Sequence, residues 1–530
     1  MERRWSPWGS VLTRSPALLV AAFGGFAWLV LAPRTPDLAA QVYRVGLFHR
    51  EGFAVFDANW YDGHHLPGYS LLFPALGATF GIHVVGIAAA VAIGVLFERL
   101  AREHFGERAR TGVIWLAAAT ACDLLIGRLT FGLGVAFGLA ALLALQRGRP
   151  RLAALLAVGC AASSPVAGLF LALAGVAMIV AQRTPRGLIV ALPSVGLVLA
   201  LSMAFPEGGF QPFAAGSAII SVASGVAVAL LVPPSERVLR AGGWLYAVAA
   251  AAAMVIPTPM GSNATRLGAV FAGPLIVCAR AGRPLHRRDA RRALAIAVAA
   301  LFVWQWWGPV REILKTVGDP STQVAYFAPL THFLERQGGP PPRIEVPFTR
   351  GHWEAAYLAP RFPIARGWER QLDTKYNRIF YDQGALTPAR YRAWLRSNAV
   401  SYVAVPDVPL DDHTVAEAAM VRAGLPYLTP VWANHHWSVW RVQNAAPVVD
   451  GAARLTALGS QSFALDVKRP GRVLVRVHWT RYWNVTAGAA CLEQAPGGWT
   501  TVRALRPGPV RVAAELTTSD LLSQPDACPS

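Results

Sequence analysis

The chain has 530 residues, 54% of them hydrophobic and 15% charged, with a formal net charge of +19. A soluble enzyme carries about a quarter charged residues, so the composition excludes an ordinary soluble chain and belongs to the membrane class. The positive charge does not indicate nucleic acid either. The arginines stand in short clusters between apolar runs, the positive-inside pattern of a multispanning protein, and not on one basic face.

The first apolar run, residues 17–32, follows Arg3, Arg4 and Arg14. Ala32-Pro33 is a poor cleavage context, so this run reads as a retained first span. Further runs lie near 68–98, 112–127, 130–146, 152–163, 165–181, 187–205, 213–232, 244–257, 265–279 and 293–308. One crossing each gives about 11 spans. The stretch 68–98 is too long for one straight span, and Phe73-Pro74 and Gly81 divide it into a short interfacial segment and a true span. Ser163-Ser164-Pro165 breaks the stretch 152–182 into a hairpin.

With the N-terminus cytoplasmic, the arginine-rich loops at 99–110, 147–151, 183–186, 233–243 and 280–292 fall inside. The loops at 33–66, 206–212 and 258–264 fall outside, and so does everything after Trp307. The chain therefore reads as an integral plasma-membrane protein with an extracytoplasmic C-terminal part. Three regions are expected: a transmembrane domain over 1–309 with its first outer loop at 33–66, an α/β domain over 310–450, and a small β-sandwich-like domain over 451–530. The second carries helix signals at Thr387–Asn398 and His413–Ala423 and short apolar strands at Ser401–Val405 and Trp437–Val442. The third has alternating strands such as Arg472–Trp479 between Pro-Gly turns. Cys122, Cys160 and Cys278 fall in apolar runs as packing residues. Cys491 and Cys528 pair as a disulfide if the C-terminal part is outside, and are otherwise two free thiols.

The first outer loop carries the most chemistry. Asp37 follows the first span, and Leu38–Phe48 reads as an amphipathic surface helix. A carboxylate there serves as helix N-cap, as general base, or as both. Asp57, Asp62, His64 and His65 are weak candidates for a divalent metal, since Asp-x4-Asp-x-His-His is not an established ligand spacing and adjacent histidines point apart on most backbones; no metal is assigned, and the alternative is a hydrogen-bonded loop packed on the outer helix ends. Asp123, Arg128 and Arg266 sit at outer helix ends. A guanidinium grips phosphate as a bidentate fork, so Arg128 and Arg266 suit a lipid phosphate; an Asp123–Arg128 ion pair closing a turn is the alternative. Trp60, Tyr61, Asp62, His64 and His65 in the loop, with His352, Trp353, Glu354, Trp368 and Glu369 further on, are candidate sugar- and acceptor-binding residues. Indole faces stack on sugar rings and carboxylates take hydroxyls, whereas the other reading is packing between domains. The sequence has no P-loop, no dinucleotide fingerprint, no His-Glu-x-x-His and no Gly-x-Ser-x-Gly, so it shows no nucleotide site.

This layout resembles the GT-C fold of integral-membrane glycosyltransferases. Asp37 matches the acid those enzymes carry near the first helix exit. Leu38-Ala39-Ala40-Gln41, Trp60-Tyr61 and Leu66-Pro67-Gly68-Tyr69 look like the acidic-helix and Tyr/Pro/Pro-type loop of endoplasmic-reticulum glucosyltransferases, with His-Leu-Pro in place of acid-Tyr-Pro-Pro. Helix number and C-terminal part are similar to those of the arabinofuranosyl- and mannosyltransferases of actinobacterial envelopes. The resemblance implies inverting transfer from a polyprenyl-phosphate sugar to a glycan, lipid or protein acceptor. Asp37 would be the base, and Arg128 or Arg266 would hold the phosphate. Two other classes fit the composition: a transporter or flippase of an envelope lipid, which would want paired halves, and a non-catalytic envelope assembly protein with a sugar-binding outer domain.

Overall fold

The computed structural model describes residues 15–283, 285–516 and 528. Arg3, Arg4 and Arg14 lie outside that set. The chain divides into two compact units, one of residues 1–41, 68–203 and 210–317, the other of residues 42–67, 204–209 and 318–530.

The first unit is helical, and a helix covers each apolar run. Helix Pro16–Leu31 starts at Ser15, whose hydroxyl accepts from Leu18 N at 3.2 Å, and ends at Ala32 in the left-handed region, φ 39. The chain then bends by 86° into helix Pro36–Glu51. Residues 68–98 divide at the expected points, into helices Phe73–Phe80 and Ile82–Phe105 with Gly81 between them at φ 85. Helices Pro150–Ser163 and Pro165–Gln182 are separated by Ser164, which caps the second through its own hydroxyl.

Among the described residues, seven helices are long and apolar enough to cross a membrane, or eight if the bent pair counts as one span. Pro150–Ser163 and Ala215–Leu231 are apolar but shorter. The expected count of about 11 is thus not reached on length and composition, because several apolar runs fold into helices shorter than a perpendicular span of roughly 20 residues. The packed core is rich in small residues, among them Ala17, Ala21, Ala117, Ala153 and Ala157. Apolar helices in lipid associate by close backbone approach, and small side chains permit it. Phe23, Phe26, Val30 and Leu199 point outward, as lipid-facing positions require.

The second unit begins with residues 42–67, read in sequence as part of the first outer loop. They form a short antiparallel pair, β1 (Phe56–Asp57) and β2 (His64–His65). A mixed sheet follows in the order β3-β4-β6-β5, built from β3 (Ile344–Glu345), β4 (Tyr402–Pro406), β5 (Leu428–Ala433) and β6 (Trp437–Val442). β3 and β4 run parallel and the other pairs antiparallel. Helices Pro388–Ser397 and Val415–Arg422 cover it, giving a core of Tyr391, Leu395, Val403, Val405, Ala418 and Val421. Thr387 caps the first of these helices.

Residues 449–514 form two four-stranded antiparallel sheets, ordered β12-β13-β10-β7 and β11-β14-β9-β8. Their strands are β7 (Val449–Asp450), β8 (Ala453–Leu458), β9 (Ser462–Val467), β10 (Gly471–His478), β11 (Trp483–Ala487), β12 (Ala490–Gln494), β13 (Trp499–Ala504) and β14 (Gly508–Ala514). Burial alternates along them: Val473, Val475 and Val477 are inside, Arg472 is outside, the period-two signature of a half-buried strand. Cys491 and Cys528 are bonded, with Cα atoms 4.9 Å apart. Cys122, Cys160 and Cys278 are free and buried.

Candidate functional site

In the helical unit a charged cluster forms where three helix ends meet. Helix Arg110–Ile126 stops at Gly127, in the left-handed region at φ 87. Arg128 then precedes helix Leu129–Gln146. A β-carbon on Gly127 would lie 2.6 Å from Leu38 N and 2.8 Å from Leu38 Cβ, so only glycine lets the first turn of helix Pro36–Glu51 approach this turn. Thr35 locks the same junction, its hydroxyl donating to the carbonyls of Ile126 at 2.8 Å and Leu125 at 3.1 Å. The sequence signal for this corner, glycine just past an apolar helix, is a common helix stop.

The result brings Arg128 Nε to 3.4 Å from Asp37 Oδ2, with both side chains partly exposed. Asp37 is the second residue of its helix and sits in the first turn, not at the expected N-cap but two places beyond it, since Thr35 holds that position. Arg266, at the start of helix Thr265–Arg280, is within electrostatic reach of Asp37, Arg128, Asp123 and Tyr69, and its guanidinium lies 5.4 Å from the Phe131 ring centre. Gln41 donates to the Tyr69 hydroxyl at 2.9 Å. The Asp123–Arg128 ion pair offered as the alternative does not form: Arg128 turns to Asp37, and its backbone N–H donates to the Asp123 carbonyl at 2.8 Å.

Two cations beside one solvent-reachable carboxylate can bind an anion and accept a proton at one point. A cavity of about 900 Å³ runs between the helices; Asp37, Arg128 and Arg266 are not among the residues that line it, and its polar residues include His104, Gln146, Arg186 and Glu236. Its wall is largely apolar, with Val135, Phe170, Tyr246 and Phe271, and it reaches Leu267 and Gly268, the residues after Arg266. Replacing Gly127 with alanine is expected to destabilise the helical unit by about 1–3 kcal/mol through overpacking against Leu38. Thermal unfolding of the detergent-solubilised protein measures this.

The second unit places the other candidates differently. Trp60, Tyr61, Asp62, His64, His352, Trp353 and Glu354 are all buried. Trp60 stacks on Tyr43 at 4.4 Å and donates to the Ala355 carbonyl at 3.2 Å. Tyr61, at φ 55, donates its hydroxyl to the Gly367 carbonyl at 2.6 Å. Asp62 faces Arg343 at 2.8 Å, and Glu369 faces Arg44 at 3.0 Å. Trp60, Tyr61 and Trp353 therefore offer no open ring face for a sugar. Trp60, Tyr61, Asp62 and Glu369 serve as packing, each meeting a protein partner remote in sequence. Trp368 keeps partial exposure but is stacked on His352 at 3.4 Å between ring centres.

The metal candidates of the loop do not converge. The Asp57 carboxylate accepts from the Tyr43 hydroxyl at 2.8 Å and Asn59 N at 3.0 Å. His64 Nδ1 faces the Asp57 carbonyl at 3.2 Å. His65 lies between Glu207, 2.6 Å from its Nδ1, and the Thr480 hydroxyl, 2.9 Å from its Nε2. Glu207 and Thr480 carried no signal in sequence.

Burial pushes Glu354 up to about 8, although its bond from the Thr349 hydroxyl at 2.5 Å pulls the other way. Between its ordinary value of 4.5 and about 8 the folded chain holds a proton that the unfolded chain has lost. Stability of the second unit should therefore fall as pH rises through that window. Glu354→Gln is expected to flatten this slope, removing a pH-dependent loss on the order of a few kcal/mol. Melting temperatures of both proteins from pH 5 to 8 test it; parallel curves would refute it.

No protein-family model matches the sequence, and no curated protein matches it. Among solved structures, the chain is similar to the cryo-electron-microscopy structure of the arabinofuranosyltransferase AftD from mycobacteria, at 15% identity and a TM-score of 0.46. The match covers 95% of this chain, which spans 57% of that one. At that similarity the likeness assigns no activity.

Proposed function

We propose that the protein is an integral-membrane glycosyltransferase that takes a sugar from a polyprenyl-phosphate donor. The acceptor is an envelope glycan, lipid or protein, and transfer occurs on the extracytoplasmic face. The observation that carries this reading is the meeting of Asp37, Arg128 and Arg266 at one end of the helical unit. The set of membrane-length helices supports a lipid-linked donor.

In this mechanism Arg128 and Arg266 hold the donor phosphate. Phosphate entering the cluster competes for Arg128 and releases Asp37 from its ion pair. Asp37 then takes the proton of the acceptor hydroxyl as its oxygen attacks the anomeric carbon. The glycosidic C–O bond forms, the bond from carbon to phosphate oxygen breaks, and the lipid phosphate leaves with the electron pair. Phosphate is a good leaving group and needs no protein acid, and attack from the opposite face inverts the anomeric centre. The test is transfer from radiolabelled polyprenyl-phosphate sugars in membranes, wild type against Asp37→Asn; undiminished transfer would remove Asp37 from the reaction.

A further inference from the structure

We propose that Asp407, His435 and His436 form a binding site for a divalent transition metal of the zinc type, at the end of the mixed sheet in the second unit where the β5–β6 turn meets the exit of β4. The three side chains offer ligand atoms that all lie within 4.8 Å of one another. Around a tetrahedral zinc, with bonds of about 2.0–2.1 Å, ligand atoms stand about 3.4 Å apart. Side-chain rotation of an ångström or so closes the set.

The backbone explains why these residues meet. β4 and β6 pair antiparallel with Pro406 opposite Trp437. The next pair outward is Asp407 and His436, and Asp407 N donates to the His436 carbonyl at 3.0 Å. Asn434 fixes the turn, its side-chain oxygen accepting from His436 N at 3.0 Å and Trp437 N at 2.8 Å. Consecutive histidines usually point apart, but this turn brings their ring centres to 4.7 Å.

A second layer orients the carboxylate. The Tyr326 hydroxyl donates to Asp407 Oδ1 at 2.7 Å, leaving Oδ2 at 3.1 Å from His436 Nδ1. Metal sites typically show such outer partners, which fix a ligand before the ion arrives. Two imidazoles and one carboxylate select zinc or a neighbouring divalent ion over calcium and magnesium, which want oxygen alone. Asp407 and His435 are exposed, so the remaining coordination positions go to water or to an incoming ligand. The competing arrangement is a plain Asp407–His436 hydrogen bond with His435 idle beside it.

The test uses the full chain in detergent, free of any polyhistidine tag and stripped with chelator. Titration with Zn²⁺ is followed by calorimetry, and with Co²⁺ by its visible absorption. Wild type should bind one equivalent, at least tenfold more tightly than His435→Ala or Asp407→Asn, and more weakly at pH 5.5 than at pH 7.5 as protons compete for the imidazoles. His435→Ala should keep the wild-type circular dichroism, since its ring contacts His436 at an exposed turn. Failure of wild type to bind an equivalent, or unchanged binding in both variants, would overturn the site. Neither result bears on sugar transfer.

Discussion

Replacing Asp37 with asparagine is expected to lower sugar transfer by about 10²- to 10⁴-fold, the range a positioned general base contributes. The change is isosteric and removes only the charge. A helix-capping role predicts a different outcome, since an acid in a helix first turn contributes about 0.3–1 kcal/mol of stability and nothing to the reaction. The ion pair adds little to the difference. Asp37 and Arg128 are 33% and 26% exposed, and pairs open to solvent contribute about 0–1 kcal/mol. A near-normal melting temperature with lost transfer therefore identifies the base. A small drop in melting temperature with transfer within a few-fold of wild type identifies the cap. Asp37→Glu sharpens the test: it retains the charge but moves it by a methylene, so partial activity is expected.

What the sequence made legible follows the range of the interactions involved. Helix breaks are local, set by proline, glycine and capping hydroxyls, and they fall where expected at Phe73-Pro74, Gly81 and Ser164-Pro165. The strands Tyr402–Pro406 and Trp437–Val442 were visible because β-branched and aromatic residues cluster there. The partners of charged groups were not visible. Asp37 and Arg128 are brought together by a glycine that admits a backbone contact, and Asp62 finds Arg343 from a remote part of the chain. Tryptophan beside arginine and acid has the same composition whether it lines a sugar site or fills a core. Burial decides between the two, and for Trp60, Tyr61 and Trp353 it decides for the core.

The largest stability effect is expected at Arg366. Its guanidinium is fully buried and takes Asp373 in a fork, Nε to Oδ1 at 3.1 Å and Nη2 to Oδ2 at 2.7 Å. Nη1 reaches Glu417 at 3.2 Å and Glu345 at 3.7 Å. The rings of Phe348 and Phe380 lie 4.1 and 3.9 Å from it. Burial pushes Glu345 up, and the Glu417 charge beside it adds to this, while burial brings Glu417 to about 7 despite Arg366. Asp373 goes the other way: burial pushes it up, but the Arg366 charge and fork together with hydrogen bonds from Tyr381 and Asn377 bring it below its ordinary value. One cation thus balances one firmly ionised carboxylate and a pair that resists full ionisation. Arg366→Met leaves that group without its cation, a loss of about 3–5 kcal/mol for a broken buried pair. Against a typical total of about 5–15 kcal/mol, the second unit would be marginal or unfolded. Arg366→Lys should recover little, because an ammonium cannot form the fork or stack between two rings. Adding Glu345→Gln and Glu417→Gln to Arg366→Met should restore part of the loss, and the excess over additivity measures the coupling within the cluster. At about 2–4 °C per kcal/mol for a unit of this size, Arg366→Met should melt on the order of 10 °C early. If Arg366→Lys instead melts with wild type, the fork is dispensable and a point charge suffices to hold the three acids.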